Sequence, residues 1–254
     1  MKKNRTIMGM PVTIEIIDSN ATEEIFEEVF NYLISVDEQF SPYKERSEVT
    51  LYNEGKILEK DLSAEMKKVL ELSQETKNET EGFFDVVYDG KIDPSGLVKG
   101  WAIYNASEIL RQKGFKNFYV EIAGDIEVAG LNNEGEKWAI GIRNPFNKEE
   151  NIKVVHLSDR GIATSGTYER GQHIYNPKEK KLVEEIASLT VVGPNIYEAD
   201  RFATACFAMG AKGIYFVEKL PNLEGYMIDH SGIATFTSGF SEYLPARPSG
   251  AGGK

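Results

Sequence analysis

Sulfur and imidazole are scarce in this chain. Its 254 residues include a single cysteine, Cys206, and three histidines, His156, His173 and His230. One cysteine excludes an intrachain disulfide and a cysteine-based zinc site, and three scattered histidines argue against a histidine-rich metal centre.

Positive charge is also in short supply. The chain has 29 lysine and arginine residues against 40 aspartate and glutamate residues, which gives a formal net charge of −11. A chain this acidic is not expected to have general affinity for nucleic acid or for an anionic membrane surface. An anionic ligand would need local help from a metal ion, from a few basic side chains or from backbone N–H groups.

Long apolar runs are missing as well, so no segment is expected to span a bilayer. The basic start, Met1–Thr6, resembles part of a signal peptide, but the following segment, Val12–Ile17, alternates like a strand and contains Glu15. As written, the chain is expected to be cytoplasmic, or exported or membrane-anchored if a leader has been removed. Residues Pro245–Lys254 are expected to be a disordered tail or a cloning remnant.

What the chain does contain is the composition of an ordinary globular protein, with 41% hydrophobic and 27% charged residues. Strand and helix patterns are interspersed without a strict βαβ rhythm, and no shift in composition divides two domains. The sequence therefore predicts one α+β domain over residues 1–244, with mixed, mainly antiparallel sheets and flanking helices.

Apolar periodicity and turn residues give the expected elements. Helices are predicted over Thr22–Val36, Ser63–Asn78, Ser95–Lys113, Glu198–Met209 and Lys212–Leu220. Strands are predicted over Val12–Ile17, Phe118–Ile122, Ile126–Ala129, Trp138–Ile142, Lys153–Leu157, Gly161–Thr164, Ile186–Val192, Gly225–Ile228 and Ile233–Phe236. The pair Asn20 and Glu23 is expected to cap the first helix, and Asn132–Gly135 to form a hairpin turn.

One predicted helix carries a candidate metal site near its N-terminus. In a helix that begins near Ala199, residues four apart share one face, so the Asp200 carboxylate and the Thr204 hydroxyl would point the same way. Two hard oxygen ligands side by side suit Mg²⁺, which completes its octahedron with waters and phosphate oxygens. The plainer interpretation, that Asp200 only begins or caps a helix, stays open at this point.

Two other stretches have the residue types of a ligand site. Asp93–Trp101 combines a carboxylate, a proline and a glycine at a helix start, with Lys99 one turn in. Ala123–Asp125 places a glycine between two strands, where the backbone can approach a ligand closely. A helix cap explains the first stretch equally well, and a plain hairpin turn is the favoured explanation of the second when it is taken alone.

A further stretch leaves a strand into small hydroxyl-bearing residues. The backbone N–H groups of Ser165, Gly166 and Thr167, together with Arg170, would suit a pyrophosphate. The sequence has neither a Walker loop nor the dinucleotide-binding glycine motif. His173 comes shortly afterwards and is a candidate general base, although a lone histidine is more often structural or solvated.

These short motifs occur in a definite order along the chain. They are Met8–Thr13, Phe40–Tyr43 with Ser47 and Asn53, Gly82–Asp85, Asp93–Gly100, Ala123–Asp125, Thr164–Gly166 with His173 and Pro177, and Ala199–Asp200 with Thr204. Together they resemble the ApbE family of flavin transferases (FAD:protein FMN transferases), and the resemblance spans about residues 6–244.

The resemblance implies an ApbE-like fold and an enzyme that binds FAD with Mg²⁺, transfers the FMN moiety to a Thr or Ser hydroxyl of an acceptor protein, and releases AMP. By motif match, Asp200, Thr204 and the backbone carbonyl of Gly96 would hold the metal, and His173 would deprotonate the acceptor hydroxyl. The flavin pocket would contain Met8, Tyr43, Phe83, Phe84, Asp85, Asp93 and Lys99. The aromatic residues among these would stack on flavin or adenine rings, although they would serve equally well as core residues.

The chain departs from the family pattern in three places. Family members usually have a second glycine at the position of Ala123, and Asp-Pro followed by Thr-Gly where this chain has Asn176–Glu179. The second difference follows His173, so it bears on the acceptor and on the placement of the base. The segment between Asp85 and Asp93 is also short, which predicts a more openly bound FAD.

Two alternatives to protein flavinylation remain open on the sequence. Water in place of the acceptor hydroxyl would make the chain an FAD pyrophosphatase that yields FMN and AMP. The altered turn after His173 would also suit a non-catalytic FAD carrier or sensor.

Overall fold

The structure, a computed structural model, describes residues 1–167 and 175–245, apart from the side chain of Lys148. Its strands are β1 (Lys2–Ile7), β2 (Met10–Ile16), β3 (Val87–Tyr88), β4 (Lys91–Ile92), β5 (Phe118–Ile122), β6 (Asp125–Ala129), β7 (Trp138–Asn144), β8 (Asn147–Leu157), β9 (Arg160–Gly166), β10 (Tyr175–Asn176), β11 (Lys181–Leu182), β12 (Ile186–Gly193), β13 (Glu224–Asp229) and β14 (Ala234–Phe236). Its α-helices are α1 (Glu23–Phe40), α2 (Glu48–Asn53), α3 (Ala64–Glu79), α4 (Ser95–Gln112), α5 (Ile196–Ala208) and α6 (Gly213–Val217). Short 3₁₀ turns cover Glu59–Asp61, Gly210–Lys212 and Phe240–Tyr243.

An eight-stranded sheet forms the centre of the fold. Its strand order is β1-β2-β5-β6-β9-β12-β13-β14, and every neighbouring pair is antiparallel. Three two-stranded hairpins, β3-β4, β7-β8 and β10-β11, stand apart from it in the described ranges. The mainly antiparallel α+β class predicted from the sequence is therefore what the chain adopts.

The strands alternate side chains between two cores, because successive residues of a strand point to opposite faces. On β5, Phe118, Val120 and Ile122 belong to the larger core, which the helices cover. Tyr119, between them, packs instead toward the smaller core on the other face. That second core lies under the β7-β8 hairpin and includes Trp138. The sheet is thus sandwiched between a helical layer and a β-hairpin.

Most predicted elements are confirmed, with boundaries within a few residues. β5 and α4 begin and end almost where the periodicity placed them, and α3 begins after Ser63, whose hydroxyl accepts from the Met66 N–H as expected of an N-cap. α6 is shorter than predicted because it ends at Val217, three residues before Leu220, and because Lys212 belongs to a 3₁₀ turn. No helix of the described residues has the length and apolarity needed to cross a membrane.

Four details of the prediction are wrong. The basic start of the chain forms β1, whose side chains are held by ion pairs such as Lys3 with Glu23 rather than by hydrophobic burial. Helix α2 occurs in a stretch for which no helix was predicted. The N-cap of α1 is Thr22, not Asn20. Asn132–Gly135 makes a local turn, but it joins β6 to β7, which lie in different sheets, so it closes no hairpin.

Candidate functional site

A cavity with a volume of about 1310 Å³ lies at one end of the central sheet. Three parts of the sheet line it: the β1-β2 turn, the β5-β6 turn and the end of β9. The first residues of α4 and one face of α5 complete its inner wall. The antiparallel topology explains this convergence, since both turns and the C-terminal end of β9 lie at the same end of the sheet.

Helix α5 presents Asp200 and Thr204 to this cavity. The Asn195 side chain caps the helix by accepting from the Glu198 N–H at 2.9 Å, which fixes where the helical turn begins. Asp200 is 4% exposed, and Thr204 lies one turn further along the same face. The Thr204 hydroxyl is 3.4 Å from the hydroxyl of Ser165, which comes from β9.

Helices α4 and α5 approach closely through glycine. The Gly100 N–H donates to Asp200 Oδ2 at 2.7 Å. A Cβ atom at position 100 would lie 2.5 Å from Asp200 Cβ and 3.0 Å from the carbonyl oxygen of Ile196. At position 96, one turn earlier, a Cβ would lie 3.3 Å from Thr204 Cγ2. Small residues on α4 thus leave room for the functional groups of α5.

A second carboxylate, Asp125 at the start of β6, faces Asp200. Asp125 is 2% exposed, and its Oδ1 accepts from the Thr164 N–H at 3.1 Å. Its Oδ2 has no hydrogen bond of acceptable geometry but forms an ion pair with Lys99 Nζ. Asp125 also lies within hydrogen-bonding reach of Asp200. Two buried acids and one lysine therefore form one connected group, of which Asp200 and Lys99 line the cavity.

Burial raises the pKa of the Asp200 carboxyl to about 7. The positive charge of Lys99 opposes this rise, the negative charge of Asp125 adds to it, and the hydrogen bond from the Gly100 N–H opposes it. In the protein alone, an ionised Asp200 is therefore poorly compensated, because one lysine serves two carboxylates.

This donor set fits a hard divalent cation. Asp200 and Thr204 supply oxygens on one helix face, and the bare Cα of Gly96 leaves the space beside Thr204 unfilled. The cluster carries one negative charge more than Lys99 neutralises, which a cation would offset. Mg²⁺ accepts one or two carboxylates and takes its remaining ligands from water and phosphate. No group of three or more acidic, histidine or cysteine side chains gathers as a metal site within the described ranges.

A buried ion pair fixes the first turn of α5. Glu127 on β6, which is 0% exposed, accepts from the Ile196 N–H at 2.7 Å and from Arg111 Nη2 at 2.6 Å. At Gly161 on β9, a Cβ would come within 2.0 Å of the Ile196 nitrogen. These contacts fix α5 to the sheet and to the C-terminal end of α4. The position of Asp200 is therefore determined by both of these elements.

Aromatic side chains form the outer wall of the cavity. Phe84 is buried, Phe83 is half-buried and Tyr43 is 91% exposed, so ring faces are available from the floor of the cavity to its rim. Tyr88 of the β3-β4 hairpin meets Tyr175 of β10 edge-on, with ring centroids 5.0 Å apart. The short segment after Asp85 is therefore a hairpin that lines the cavity.

The predicted acidic and turn residues at the rim have structural partners. Asp85 forms an ion pair with Lys77 at 2.6 Å. Asp93 Oδ1 accepts from the Ser95 N–H at 3.0 Å and so helps to begin α4. Met8 has a φ of 58° in the β1-β2 turn, followed by Gly9. All three predicted residues line the cavity.

The structure brings together most of the residues predicted for the site. Those that line the cavity are Met8, Tyr43, Phe83, Phe84, Asp85, Asp93, Gly96, Lys99, Ser165, Gly166, Asp200 and Thr204. Thr167 is not among them, and its N–H donates to the carbonyl of Ala187 at 3.2 Å. The sequence prediction that this amide binds a pyrophosphate is therefore wrong, since the sheet ladder already uses it. Arg170 and His173 lie outside the described residues.

Two departures from the family pattern have clear local outcomes. Ala123 has a φ of 51° and Gly124 a φ of 91°, so alanine occupies a left-handed position of the β5-β6 turn. Asn176 Oδ1 accepts from the N–H groups of Lys178 and Glu179 at 3.0 and 3.2 Å, which closes the turn as an aspartate would. Lys178 Nζ lies 4.4 Å from the centre of the Phe83 ring, so this turn packs against the cavity wall.

Sequence analysis assigned no role to Asp125 or Glu127. Asp125 was part of a glycine motif, but nothing in that motif shows that its carboxylate faces Asp200, which lies on a helix much later in the chain. Glu127 did leave a signal, because it is a lone charged residue within the apolar strand Ile126–Ala129. A buried charge in a strand requires a partner, and that partner is Arg111.

Comparison with known proteins supplies independent findings. The sequence model of the ApbE family matches residues 8–90 and 88–227. An FAD:protein FMN transferase of Escherichia coli (strain K12) is 29% identical over 151 residues, covering 56% of this chain and 43% of that protein. An FAD:protein FMN transferase of Haemophilus influenzae is 31% identical over 165 residues, covering 59% of this chain and 48% of that protein. The matched segment is thus less than half the length of either relative.

Solved structures share the fold over nearly the whole chain. The flavin transferase ApbE from Vibrio cholerae superposes with a TM-score of 0.83 at 22% identity and covers 96% of this chain and 99% of that one. The ApbE protein from Thermotoga maritima has a TM-score of 0.85 at 20% identity, with the same coverage. At these identities the likeness concerns the fold, and it confirms the predicted ApbE-like architecture.

Proposed function

Because the chain belongs to the ApbE family, we propose that it is an FAD:protein FMN transferase. Its substrates are FAD and an acceptor protein with a Thr or Ser target hydroxyl, and its second product is AMP. The observation that carries the proposal is the grouping of two buried acids, Asp200 and Asp125, with Lys99, where Asp200, Lys99 and Thr204 line a cavity that has aromatic outer walls. This combination suits a ligand with a pyrophosphate between two flat rings.

The reaction is a phosphoryl transfer between oxygen atoms. The acceptor hydroxyl oxygen attacks the phosphorus of the FMN half of FAD and forms a phosphoester bond. The bond from this phosphorus to the bridging oxygen breaks, and AMP leaves with that oxygen. The hydroxyl proton passes to a base, for which His173 is proposed from the family resemblance. Such a reaction needs positioning and charge neutralisation more than covalent help from the protein.

The proposed metal is Mg²⁺, held by Asp200, Thr204 and the carbonyl of Gly96. When bound, it would neutralise charge on the pyrophosphate oxygens. Lys99 is held by Asp125 at the same end of the cavity and can donate to a phosphate oxygen from there. Because both acids are buried, their electrostatic effect on a bound ligand is only weakly screened by water.

The aromatic residues are proposed to bind the rings of FAD. Tyr43 and Phe83 offer exposed or half-exposed faces on the cavity wall, and offset stacking on such faces suits isoalloxazine and adenine. The exposure of Tyr43 agrees with an open flavin site.

The proposal is tested by incubating the protein with FAD, Mg²⁺ and candidate acceptor proteins. The acceptor is expected to gain the mass of FMN less one water, with one AMP released per FMN attached. Release of AMP without any acceptor would indicate a pyrophosphatase instead. FAD binding without AMP release in either experiment would indicate a carrier. Any of these outcomes separates the three interpretations.

Replacing Asp200 by alanine should abolish the Mg²⁺-dependent transfer, because the anionic metal ligand is lost. Asp61→Ala is the matched control, since Asp61 is exposed in a 3₁₀ turn outside the cavity, and it should transfer FMN at the wild-type rate. AMP and labelled acceptor are both measured by mass spectrometry. Wild-type rates in Asp200→Ala would contradict the proposed metal site.

For His173→Ala we expect unchanged FAD affinity and a much slower transfer, on the order of 100-fold or more, as is common when a general base is removed. FAD affinity is measured by flavin fluorescence and transfer by the mass gain of the acceptor. An equal loss of both quantities would make His173 a binding residue.

A further inference from the structure

A second cavity opens on the opposite face of the central sheet. Its volume is about 410 Å³, and it lies between the first strands of the sheet and the β7-β8 hairpin. Lys2, Glu15, Tyr119 and Glu121 form its floor. These side chains face away from the helical core, because Ile14 and Val120, their neighbours on β2 and β5, are buried in that core.

The floor is a polar surface of paired groups. Lys2 Nζ lies 3.3 Å from Glu15 Oε2, and the Tyr119 hydroxyl donates to Glu121 Oε2 at 2.7 Å. The aromatic ring of Tyr119 is already packed against Trp138, with centroids 5.6 Å apart. The cavity therefore offers hydrogen-bonding groups and no open ring face for a flavin or a purine.

One wall of this cavity is an unpaired strand edge. β7 pairs with β8 on one side, and among the described strands nothing pairs with its other side. Residues Ala139 and Gly141 of β7 line the cavity and are exposed. The Asn151 amide lies directly over Gly141, where a Cβ would come within 2.3 Å of it. Such an edge, without proline or lysine, is a template for an added strand.

The two cavities meet at the catalytic centre. Ala123, Arg143 and Thr164 line both of them. Asp125 lines the second cavity and pairs with Lys99, which lines the first, so the second cavity approaches the reacting groups from the side opposite to the helical layer. A chain in this groove would run along β7 toward Arg143 and end beside the proposed phosphate position.

We propose that this groove binds the acceptor protein, as an extended segment that pairs with the free edge of β7 and delivers its Thr or Ser hydroxyl past Asp125. The groove is defined by Lys2, Glu15, Tyr119 and Glu121 on its floor and by Ala139, Ile140, Gly141 and Arg143 on its wall. The inference rests on the proposed transferase function. FAD, with its two ring systems, is assigned to the aromatic cavity, so the second substrate takes the polar one.

Two chemical features follow for the accepted segment. Five residues of β7 line the groove, which corresponds to an extended stretch of roughly 17 Å. The residues next to the target hydroxyl must be small, because the passage between the cavities is bounded by the Ala123-Gly124 turn and Arg143. Main-chain hydrogen bonds would provide affinity, and the narrow passage would provide selectivity.

The test blocks the groove chemically in one variant. Cys206 is 0% exposed, so a cysteine introduced by Glu15→Cys is the accessible thiol for labelling with a bulky maleimide. Ala234→Cys, on exposed β14 at the far edge of the sheet, is the matched control. The probes are FAD, Mg²⁺ and a pool of synthetic peptides, each with one central Thr or Ser among small residues. FMN transfer is read as peptide mass gain, and FAD affinity by fluorescence.

We expect the labelled Glu15→Cys enzyme to have a KM for reactive peptides at least tenfold above that of the same variant without label. Its FAD affinity should stay within twofold, and labelled Ala234→Cys should match its own unlabelled form in both quantities. Equal KM values with and without label at position 15 would overturn the proposal. So would failure of all peptides in an experiment where intact acceptor proteins gain FMN, because recognition would then not depend on an extended segment.

A second measurement locates the bound segment directly. The same two cysteines are coupled to a benzophenone maleimide, and the FAD-loaded proteins are illuminated with the reactive peptides. A crosslink from position 15 and none from position 234 is expected, whereas crosslinks from both or from neither would refute the groove. If no acceptor, folded or peptide, ever gains FMN, the proposed function itself fails, which is a different result from transfer that ignores the label.

Discussion

At the scale of single residues, the site depends on a carboxyl group, that of Asp200, whose surroundings disfavour its ionised form. Asp200 is buried beside Asp125, and burial raises the pKa of its carboxyl from 3.8 to about 7. An acid with a raised pKa in the folded state binds a proton on folding. Its contribution to stability is therefore complete below pH 3.8 and is lost as the pH rises through about 7.

The metal-free protein should consequently become more stable at pH 8 when Asp200 is replaced by asparagine. The gain in free energy of unfolding is about 4 kcal/mol at most, from a shift of three pKa units at 1.36 kcal/mol each. It should vanish near pH 4, and Mg²⁺ should stabilise only the wild-type protein. Urea unfolding at the two pH values, with and without Mg²⁺, measures both effects. A destabilised Asp200→Asn at pH 8 without metal would contradict the assignment.

Ala123 gives a second residue-scale prediction. It adopts a φ of 51°, which is unfavourable for an L-amino acid with a side chain, next to Gly124 at 91°. Ala123→Gly should increase the free energy of unfolding by about 1 kcal/mol, which corresponds to roughly 2–4 °C in melting temperature. Gly124→Ala, in the same turn, should decrease it by a similar amount. Calorimetry of the pair checks the prediction, and shifts of equal sign would refute it.

The sequence identified most residues of the site because their types are chemically distinctive. Asp200, Thr204 and Lys99 stood in short motifs, and the structure places all three in one cavity. The pairing of Asp125 with Lys99 was not foreseeable, since it joins a strand turn to a helix. Whether a buried carboxylate faces a lysine or a second acid depends on three-dimensional packing and leaves no periodic trace in the chain.

At the scale of helices and strands, the contact between α4 and α5 sets the geometry of the site. Gly100→Ala should cost about 1–3 kcal/mol of stability and most Mg²⁺-dependent activity, because the new methyl would overlap Asp200 and the Ile196 carbonyl. At Gly96→Ala the new methyl meets the Thr204 methyl at 3.3 Å and Phe84 Cε2 at 3.4 Å, so its effect on stability should be small, with the gain in helix propensity offsetting these contacts. Thermal unfolding of the two variants tests this order, and equal losses would contradict it.

The positions of helices and strands were predictable where one face of the helix or strand is buried and the other is exposed. β5 and α3 alternate or repeat apolar residues at the period of their structure, and both were predicted closely. β1 was missed because it lies at the edge of the sheet and covers itself with charged side chains. α2 has six residues and one buried side chain, so it has no periodicity to detect.

At the scale of the whole molecule, the negative net charge of the chain disfavours binding of the proposed substrate, FAD, which is itself an anion. A chain of charge −11 repels an anionic dinucleotide, so FAD should bind weakly without a divalent cation. FAD with Mg²⁺ at about 100 times the dissociation constant should stabilise the protein by about 2.7 kcal/mol. That corresponds to a rise of several degrees in melting temperature, and a chelator should reverse it. A full shift with FAD and chelator together would show that the cation is not needed for binding.

The eight-stranded sheet separates two chambers that share lining residues in the β5-β6 turn, on β7 and on β9. One chamber is built from helices and the other from the β7-β8 hairpin, which has its own small core. The two halves can therefore diverge independently over evolution. Grafting the β7-β8 hairpin of one relative onto another would then change which acceptor protein is recognised, whereas the binding of FAD would stay the same.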